Sequence, residues 1–269
     1  MRGRFILFSL SLVAFATMCG CSSLVVAALK PSDKAKHFSY TRAQGLFAAN
    51  RDSTLRQTAI VISGEWESQM PHRDSNTGTV FIPKAKGGNM IRGLAVCLAP
   101  DGYLATASHV VSGMTNFVLA EFDGRFDIRP ARVVRQMVPP DIAVLKVPAT
   151  LAHCAMFDER PGVGDHSFAV VAYSRQTPLD VNLDFAAGTI RETRSEQPLG
   201  RCDVVRTDVP LWRGDSGGPL FSSTGQLIGI ASIYKIDFHW LYWKRRSVYL
   251  LPKREFIESV IAEDRLSHR

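Results

Sequence analysis

The sequence has few of the features that mark a metalloprotein, a repeat protein or a fibrous chain. Cysteine accounts for only five of the 269 residues, no two cysteines form a C-x-x-C pair, and no histidine stands at ligand spacing from them. A zinc site is therefore not supported. There is no internal repeat and no low-complexity tract. Hydrophobic residues make up 46% of the chain and charged residues 21%, which is ordinary globular usage and excludes disorder, collagen and coiled coil.

The net charge is modest. Thirty-two basic and 25 acidic residues give a formal charge of +7. The most visible basic cluster joins Lys244, Arg245 and Arg246 to Lys253 and Arg254, and no nucleic-acid-binding motif accompanies it, so we expect no nucleic-acid partner. The simplest interpretation is a solvated basic rim. Contact with anionic lipid headgroups is a further hypothesis.

The N-terminal segment is typical of a bacterial secretory signal. Two arginines precede an apolar run over residues 5–18, and a glycine, Cys21 and two serines follow it. This pattern resembles a lipoprotein signal in which Cys21 becomes acylated and anchors the chain to the membrane. The alternatives are cleavage after Ala27 or Ala28 and retention of the run as an uncleaved anchor. We expect a chain exported to the bacterial cell envelope.

Three cysteines remain once the two in the signal are set aside. An oxidising compartment would allow one disulfide among Cys97, Cys154 and Cys202, and the sequence does not determine its pairing. We expect all three to be buried, small apolar side chains.

From Leu55 onward, short runs of β-branched and aromatic residues are broken by turn signals about every 8 to 12 residues, as in all-β barrels and sandwiches. Seven such runs fall before residue 148. Six more fall between residues 167 and 250, among them Gly188–Arg191, Leu227–Ile233 and Ser247–Leu250. Asp-Gly pairs at 101–102 and 123–124 predict hairpin turns. The near-equal halves predict two β-barrels, and an apolar stripe over 256–261 predicts a closing amphipathic helix.

These patterns divide the chain into three parts. We expect a signal or lipoprotein segment over residues 1–21, a spacer over 22–54 and the β domain over 55–269. The closing helix should end at about Arg265, and we expect no second domain after it.

Three short stretches contain the residues suited to chemistry. Glycines flank Ser216 in GDSGGPL at 214–220, where a backbone without side-chain constraint can aim several NH groups at one point. His109 stands at a strand end just after an Asp-Gly turn. Asp141 stands at the mouth of an apolar strand, where a carboxylate is costly unless it is hydrogen-bonded, and orienting a histidine would satisfy it.

Together these stretches resemble the trypsin-like serine peptidases, and more closely the bacterial HtrA-type protease domain. The resemblance runs from about Gly93 to Leu251. It rests on GLAV at 93–96, DGYLAT at 101–106 before the histidine, DIAVLK at 141–146, and RTD at 206–208 before GDSGGPL at 214–220. The order His, Asp, Ser is also that of the family.

The resemblance implies a chymotrypsin-like fold of two six-stranded antiparallel β-barrels with the active site between them. It implies an endopeptidase in which Ser216 is the nucleophile, His109 the general base and Asp141 the residue that orients it. The NH groups of Gly214 and Ser216 would form the oxyanion hole. No metal or organic cofactor is implied, and the oligomeric state is not predicted.

The resemblance also predicts how a protein or peptide substrate binds. The strand segment Ala231, Ser232 and Ile233 would pair with the substrate backbone. Because Leu211, Ile230 and Ile233 are apolar, we expect a small or medium apolar residue before the cleaved bond.

Two departures from the HtrA pattern stand out. Asp215 replaces the usual asparagine and matches the form of digestive trypsins, where that aspartate binds a newly cut N-terminus. Because the chain has no convincing Ile-Val-Gly-Gly start, we expect no zymogen activation and a different partner for Asp215. Leu94 stands where the group usually has serine. The PDZ domain usual in the group is not predicted here.

Two other functions compete with a peptidase. The motif around Ser216 also satisfies G-x-S-x-G, the nucleophile elbow of α/β-hydrolase esterases. Only 53 residues follow Ser216 and alternating strands and helices are absent, so the esterase interpretation is excluded. The remaining alternative is an envelope-anchored pseudoprotease or peptide-binding module that holds unfolded segments without cutting them.

Overall fold

The computed structural model describes residues 50–67, 69–111, 113–157, 161–174, 181–195, 202–239 and 242–268. They belong to a compact unit that spans residues 39–269. The predicted signal segment 1–21, with Cys21, and the alternative cleavage sites after Ala27 and Ala28 lie outside the described residues, as does the predicted spacer up to residue 49. Within the described ranges, every helix is too short or too polar to cross a membrane.

The first half of the chain forms a closed antiparallel barrel. Its elements are α1 (Arg51–Arg56), β1 (Thr58–Gly64), the short pair β2 (His72–Arg73) and β3 (Val80–Phe81), β4 (Met90–Ala99), β5 (Tyr103–Thr106), α2 (Ser108–Val111), β6 (Thr115–Phe122), β7 (Arg125–Met137) and β8 (Ile142–Lys146). Six of the strands close the barrel in the order β1-β4-β5-β8-β7-β6, and β2 pairs with β3 beside it.

The second half repeats this architecture. Its strands are β9 (His166–Ser174), β10 (Val181–Ser195), β11 (Cys202–Thr207), β12 (Pro219–Ser222), β13 (Leu227–His239) and β14 (Tyr242–Pro252), followed by helix α3 (Arg254–Ser267). The six strands close in the order β10-β11-β14-β13-β12-β9. The prediction of an all-β chain with two six-stranded antiparallel barrels and a C-terminal helix is therefore confirmed.

Both barrels and the junction between them are filled with apolar side chains. Val61, Val118 and Leu145 lie in the core of the first barrel, and a similar set fills the second. A third buried cluster joins Val96 of the first barrel to Phe168 of the second, among other residues. Burying apolar surface at about 25 cal/mol per Å² holds the barrels together, and the fixed junction sets the geometry of any site that they share.

Both Asp-Gly pairs form the predicted hairpin turns. Gly102 joins β4 to β5 with φ +94°, and a Cβ there would lie 2.4 Å from the carbonyl oxygen of Val147. Asp123 and Gly124 join β6 to β7 with φ of 50° and 76°. Two successive residues with positive φ are typical of the type I′ turn that Asp-Gly favours.

Three strands of the second barrel are longer than the sequence patterns indicate. The prediction ended one strand at Ile233, whereas β13 continues to His239, paired with β14 back to Tyr242. β10 likewise extends over Val181–Ser195 instead of Gly188–Arg191. In β10 the added residues include Phe185 and Ala186, which are buried, so this part of the strand lies in the core.

The expectation of three unpaired cysteines is wrong for two of them. Cys97 on β4 and Cys154 form a disulfide with a Cα–Cα distance of 4.6 Å across 57 residues of sequence, and Cys202 is a buried thiol. Beside the disulfide, the Ala155 amide donates to the carbonyl of Cys97, at 2.9 Å. The disulfide therefore ties the connection between the barrels to the first barrel.

Helix α3 packs on the first barrel through both apolar and charged contacts. Ile257 and Val260 are buried in a cluster with Tyr103. Asp264 is also buried, and its carboxylate accepts two hydrogen bonds from the guanidinium of Arg132, at 2.8 and 2.7 Å, and one from the hydroxyl of Tyr103, at 2.8 Å. The Arg132 hydrogen bond, opposed by burial and aided by Tyr103, lowers the pKa of Asp264 to about 2.

We predict that Asp264→Asn weakens the fold. The substitution removes the bidentate ion pair and should lower the free energy of unfolding by about 2 kcal/mol at pH 7, measured by urea denaturation. Because the pKa of Asp264 falls on folding, its contribution is complete above pH 4 and disappears as the pH falls toward 2. The stabilities of wild type and variant should therefore converge over this range.

The matched control is Glu258→Gln on the same helix. Glu258 forms an exposed ion pair with Arg254, and such pairs contribute at most about 0.5 kcal/mol. Equal losses in the two variants would contradict the role assigned to Asp264.

Candidate active site

His109 lies on the one-turn helix α2, directly after β5. Its neighbours Ser108, Val110 and Val111 are all buried and anchor the turn in the first barrel. The imidazole of His109 is left 47% exposed. The local sequence thus fixes the backbone while it leaves the ring open to a cleft.

Asp141 lies just before β8 and accepts three hydrogen bonds. One oxygen accepts from Nδ1 of His109 and from the hydroxyl of Ser232, each at 2.7 Å, and the other accepts from the backbone amide of His109, at 2.9 Å. Burial opposes ionisation, but these hydrogen bonds outweigh it and hold the pKa of Asp141 below its ordinary value.

The charge on Asp141 determines the state of the His109 ring. An ionised carboxylate can only accept hydrogen bonds, so Nδ1 of His109 carries the proton. In the neutral ring this leaves Nε2 as the basic nitrogen. The arrangement therefore provides an oriented general base on the side of the ring away from Asp141.

Ser232 is a residue whose role the sequence analysis missed. The sequence predicted only that its backbone pairs with the substrate, which stays a prediction. Its side chain reaches across from the second barrel to Asp141. The register of β13 against β14 shifts between Ala231 and Ile233, which places Ser232 in a β-bulge. Bulges re-aim side chains beside active sites, and a hydroxyl inside the apolar run LIGIASI is the only sequence signal for it.

The turn that holds Ser216 contacts both barrels. The carbonyl of Ser216 accepts a hydrogen bond from Leu94 of the first barrel, at 2.7 Å, and the amide of Gly217 donates to Ala231 of the second, also at 2.7 Å. A Cβ on Gly217 would lie 2.1 Å from the carbonyl oxygen of Leu94, and the residue has φ +82°. Only glycine fits this position.

Two amide groups in this turn are left without acceptors. Asp215, Gly217 and Gly218 donate their backbone hydrogens to carbonyls nearby. Among the described residues, the amides of Gly214 and Ser216 find no such partner, and Gly214 has φ +95°. Two unused donors beside a serine hydroxyl are the arrangement that an oxyanion hole requires.

The sequence predicted that Asp215 has a partner other than a cut N-terminus, and the structure provides one. Asp215 is fully buried, and its carboxylate accepts hydrogen bonds from the amides of Ala172 and Trp212, each at 2.8 Å. Burial lowers the pKa of Arg92, and the charge of Asp215 partly offsets this effect. The carboxylate thus fixes the turn that carries Ser216.

The three residues predicted to be catalytic line one surface cleft of about 560 Å³. It is lined by His109, Asp141, Ser216 and Ser232, together with Val138, Leu211, Trp212 and Arg213. The hydroxyl of Ser216 makes no hydrogen bond to His109 or to another described residue, and in unliganded enzymes such contacts are often long. Nowhere in the described ranges do three potential metal ligands cluster.

Of the three apolar residues expected to determine specificity, the structure places one in the cleft. Leu211 lines the cleft, whereas Ile230 is fully buried in the core that joins the barrels. The side chain of Ile233 lies outside what the structure describes. Trp212 and Val138, which the sequence analysis did not consider, line the cleft instead.

Comparison with known proteins gives a consistent result. The family model described as trypsin-like peptidase domain matches residues 93–230. The chain is similar to the serine endoprotease DegS of Salmonella typhimurium, with 31% identity over 146 residues, or 52% of this chain and 39% of that protein. It is also similar to a probable periplasmic serine endoprotease, DegP-like, of Halomonas elongata, with 32% identity over 56% of this chain and 31% of that protein.

Among solved structures, the HtrA-type protease AlgW with a bound decapeptide matches with a TM-score of 0.56 and 24% identity, over 80% of this chain and 67% of that one. This likeness concerns the fold. The chain spans about two fifths or less of the length of the two curated relatives.

We predict that Asp215→Ala loosens the turn around Ser216. Two buried amides would lose their acceptor, which should lower the free energy of unfolding by about 2 to 4 kcal/mol in a urea titration. Asp123→Asn is the control, because that residue is exposed in a turn with positive φ, where asparagine is well tolerated. An Asp215→Ala protein as stable as the control would show that the carboxylate does not support the turn.

Proposed function

Because the chain belongs to the trypsin-like peptidase domain family, we propose that it is a serine endopeptidase that hydrolyses peptide bonds in proteins. The observation that carries this proposal is the hydrogen bond between Asp141 and Nδ1 of His109, in the cleft that also contains Ser216. Residues 55–269 would form the peptidase domain, preceded by the spacer over 22–54.

In the proposed mechanism Ser216 is the nucleophile. Its Oγ attacks the scissile carbonyl while Nε2 of His109 takes the hydroxyl proton. The C–N bond then breaks, His109 gives the proton to the leaving amine, and an acyl-enzyme remains on Ser216. Water, deprotonated by His109, hydrolyses the ester and restores the serine. Asp141 holds the ring in the required tautomer and stabilises the imidazolium.

The proposed oxyanion hole consists of the amides of Gly214 and Ser216. No described residue accepts a hydrogen bond from either amide, which supports this assignment. Donors fixed before the reaction stabilise the tetrahedral intermediate without reorganisation, and losing one typically costs about a hundredfold or more in rate. The turn geometry set by Asp215 and Gly217 therefore bears directly on the rate.

The proposed substrate is an extended polypeptide that pairs with Ala231, Ser232 and Ile233 on β13. We retain the expectation of a small or medium apolar residue before the cleaved bond, which Leu211 in the cleft supports. We further propose that the chain is exported and that Cys21 anchors it to the membrane. The N-terminal pattern and the periplasmic relatives support export.

We predict that Ser216→Ala abolishes hydrolysis. The purified wild type should cleave casein and react with a fluorophosphonate probe, and the variant should lose labelling and at least about 10⁴-fold in kcat/KM. Ser223→Ala, at an exposed serine of the second barrel, should keep both properties.

The outcomes separate the two functions. Cleavage that persists in Ser216→Ala would remove Ser216 from the mechanism. An unreactive wild type that still binds denatured casein would overturn the peptidase proposal in favour of the binding module.

We predict that Ser232 acts as a positioning residue. Ser232→Ala removes one of three hydrogen bonds to Asp141 and should lower kcat about tenfold with little change in KM. Ser232→Thr, which retains a hydroxyl, should recover most of the loss. An equal loss of kcat in Ser232→Ala and Ser232→Thr would show that the hydrogen bond to Asp141 does not support the rate.

A further inference from the structure

Arg213 is a charged residue of the cleft that the proposed mechanism does not use. It is exposed and lines the cleft beside Ser216. The other ionisable side chains of the lining, His109 and Asp141, bind each other. Among the described residues, by contrast, none forms an ion pair or a side-chain hydrogen bond with Arg213. The cleft therefore presents a cation that could bind a group of the substrate.

A tight turn fixes the backbone of Arg213. The amide of Asp215 donates to the carbonyl of Trp212, at 3.1 Å, and closes a four-residue turn with Arg213 and Gly214 at its centre. Gly214 has φ +95°, and a positive φ at the third residue is typical of a type II turn. The guanidinium of Arg213 is therefore carried by a rigid backbone.

This turn places the guanidinium close to the reacting carbonyl of a substrate. The peptide bond between Arg213 and Gly214 contains one of the two proposed oxyanion donors. An arginine side chain reaches about 7 Å, which is the span of two extended residues. Arg213 can therefore contact a substrate side chain only within about two residues of the scissile bond. Because a guanidinium binds a carboxylate through two parallel hydrogen bonds, the favoured partner is an acidic side chain.

The nearby carboxylate of Asp215 does not cancel the charge of Arg213. Asp215 is fully buried and accepts hydrogen bonds from two backbone amides. A second arginine, Arg92 on β4, lies against the same turn, since a Cβ on Gly214 would be 3.3 Å from its Nη2. Burial lowers the pKa of Arg92 and the charge of Asp215 raises it, so these two groups interact. Two guanidinium groups and one carboxylate give the turn a net charge of +1.

The charges around Ser216 indicate on which side of the scissile bond a carboxylate fits. Under the proposed function, the residues before the bond pair with β13, whose Ser232 is hydrogen-bonded to the carboxylate of Asp141. A second carboxylate in that part of the cleft would be repelled by Asp141. The turn of Ser216 is also hydrogen-bonded to β4, two residues after Arg92. We therefore expect the residues after the bond to run toward the start of β4, where both arginines attract negative charge.

We propose that Arg213, supported by Arg92, binds an acidic side chain one or two residues after the scissile bond. The inference rests on the proposed peptidase function and deepens it, because it names the substrate class as proteins cut shortly before a glutamate or an aspartate. The apolar residue expected before the bond is retained, and the acidic residue is a second, independent requirement.

The first test varies one substrate residue at a time. Peptides built on one casein cleavage site carry Glu, Gln or Lys at each of the two positions before and the two positions after the cut. At one of the later positions, kcat/KM should be at least tenfold higher for Glu than for Gln, and lower for Lys than for Gln. At the earlier positions Glu should bring no gain. Equal values for Glu and Gln after the cut, or a gain only before it, would overturn the proposal.

The second test isolates the side of the leaving group. An acyl-enzyme formed from a peptide ester reacts with water or with an added dipeptide amide, whose amine attacks the ester carbonyl, forms a peptide bond and returns the proton to Ser216. Only the dipeptide occupies the positions after the bond. The amide of Glu-Ala or of Ala-Glu should accept the acyl group at least fivefold more efficiently than its Gln counterpart. Equal transfer to all four amides would refute a carboxylate site on this side.

The third test changes the arginines and measures the ratio of kcat/KM for the Glu and Gln peptides. Because both substrates are compared on one protein, a general loss of activity does not alter the ratio. Arg213→Met should bring the ratio to within about twofold of one, and Arg213→Lys should keep part of it, since the charge remains but the planar fork is lost. Arg92→Met should lower the ratio about threefold.

The matched control is Arg194→Met, at an exposed position of β10 in the second barrel. It removes the same charge and should leave the ratio unchanged. A full ratio in Arg213→Met, or an equal fall in Arg213→Met and Arg194→Met, would remove Arg213 from substrate recognition.

The inference and the peptidase function can fail separately. Hydrolysis without a preference for Glu after the cut refutes the inference alone. Absence of hydrolysis and of fluorophosphonate labelling refutes the function. In that case an octapeptide with a central Val followed by Glu, labelled with a fluorophore, should still bind Ser216→Ala protein at least fivefold more tightly than its Gln counterpart, and failure to do so refutes the inference as well.

Discussion

The carboxylate of Asp141 accepts hydrogen bonds from both barrels, and the candidate site depends on this one group. His109 donates from its ring and its backbone in the first barrel, and Ser232 donates from the second. Asp141 is half-buried, where a carboxylate without donors is costly, and the three hydrogen bonds from the two barrels stabilise its charge. The same charge fixes the tautomer of His109, which makes the chemistry of the site a consequence of how the barrels pack.

The turn around Ser216 also depends on both barrels, in this case through backbone hydrogen bonds. The turn is hydrogen-bonded to Leu94 of the first barrel and to Ala231 of the second. A side chain at Gly217 would collide with the carbonyl oxygen of Leu94. Asp215 accepts hydrogen bonds from the amide of Trp212, just before the turn, and from that of Ala172 on β9. With these contacts made, the amides of Gly214 and Ser216 are the two in residues 214–218 for which no described residue serves as acceptor. The free donors therefore result from a turn whose other groups are already paired.

Sequence patterns were sufficient to predict those structural features that depend on neighbouring residues or on periodic hydrophobicity. The Asp-Gly turns, the alternating strands and the three motif stretches each depend on a few neighbouring residues. The two barrels could be predicted from them. The pairing of Cys97 with Cys154, the contact of Asp264 with Arg132 and the role of Ser232 all join residues distant in sequence. No local signal encodes such contacts, because they depend on which strands become neighbours.

The bulge at Ser232 links these features. An extra residue in β13 turns the hydroxyl toward Asp141, and it lies two residues beyond the last pair with β12. Among the described residues, the point at which β13 supplies a side chain to Asp141 therefore follows directly on the point at which its pairing with β12 ends. Under the proposed function, a substrate strand that pairs with Ala231, Ser232 and Ile233 would meet the site at the residue whose hydroxyl contacts Asp141.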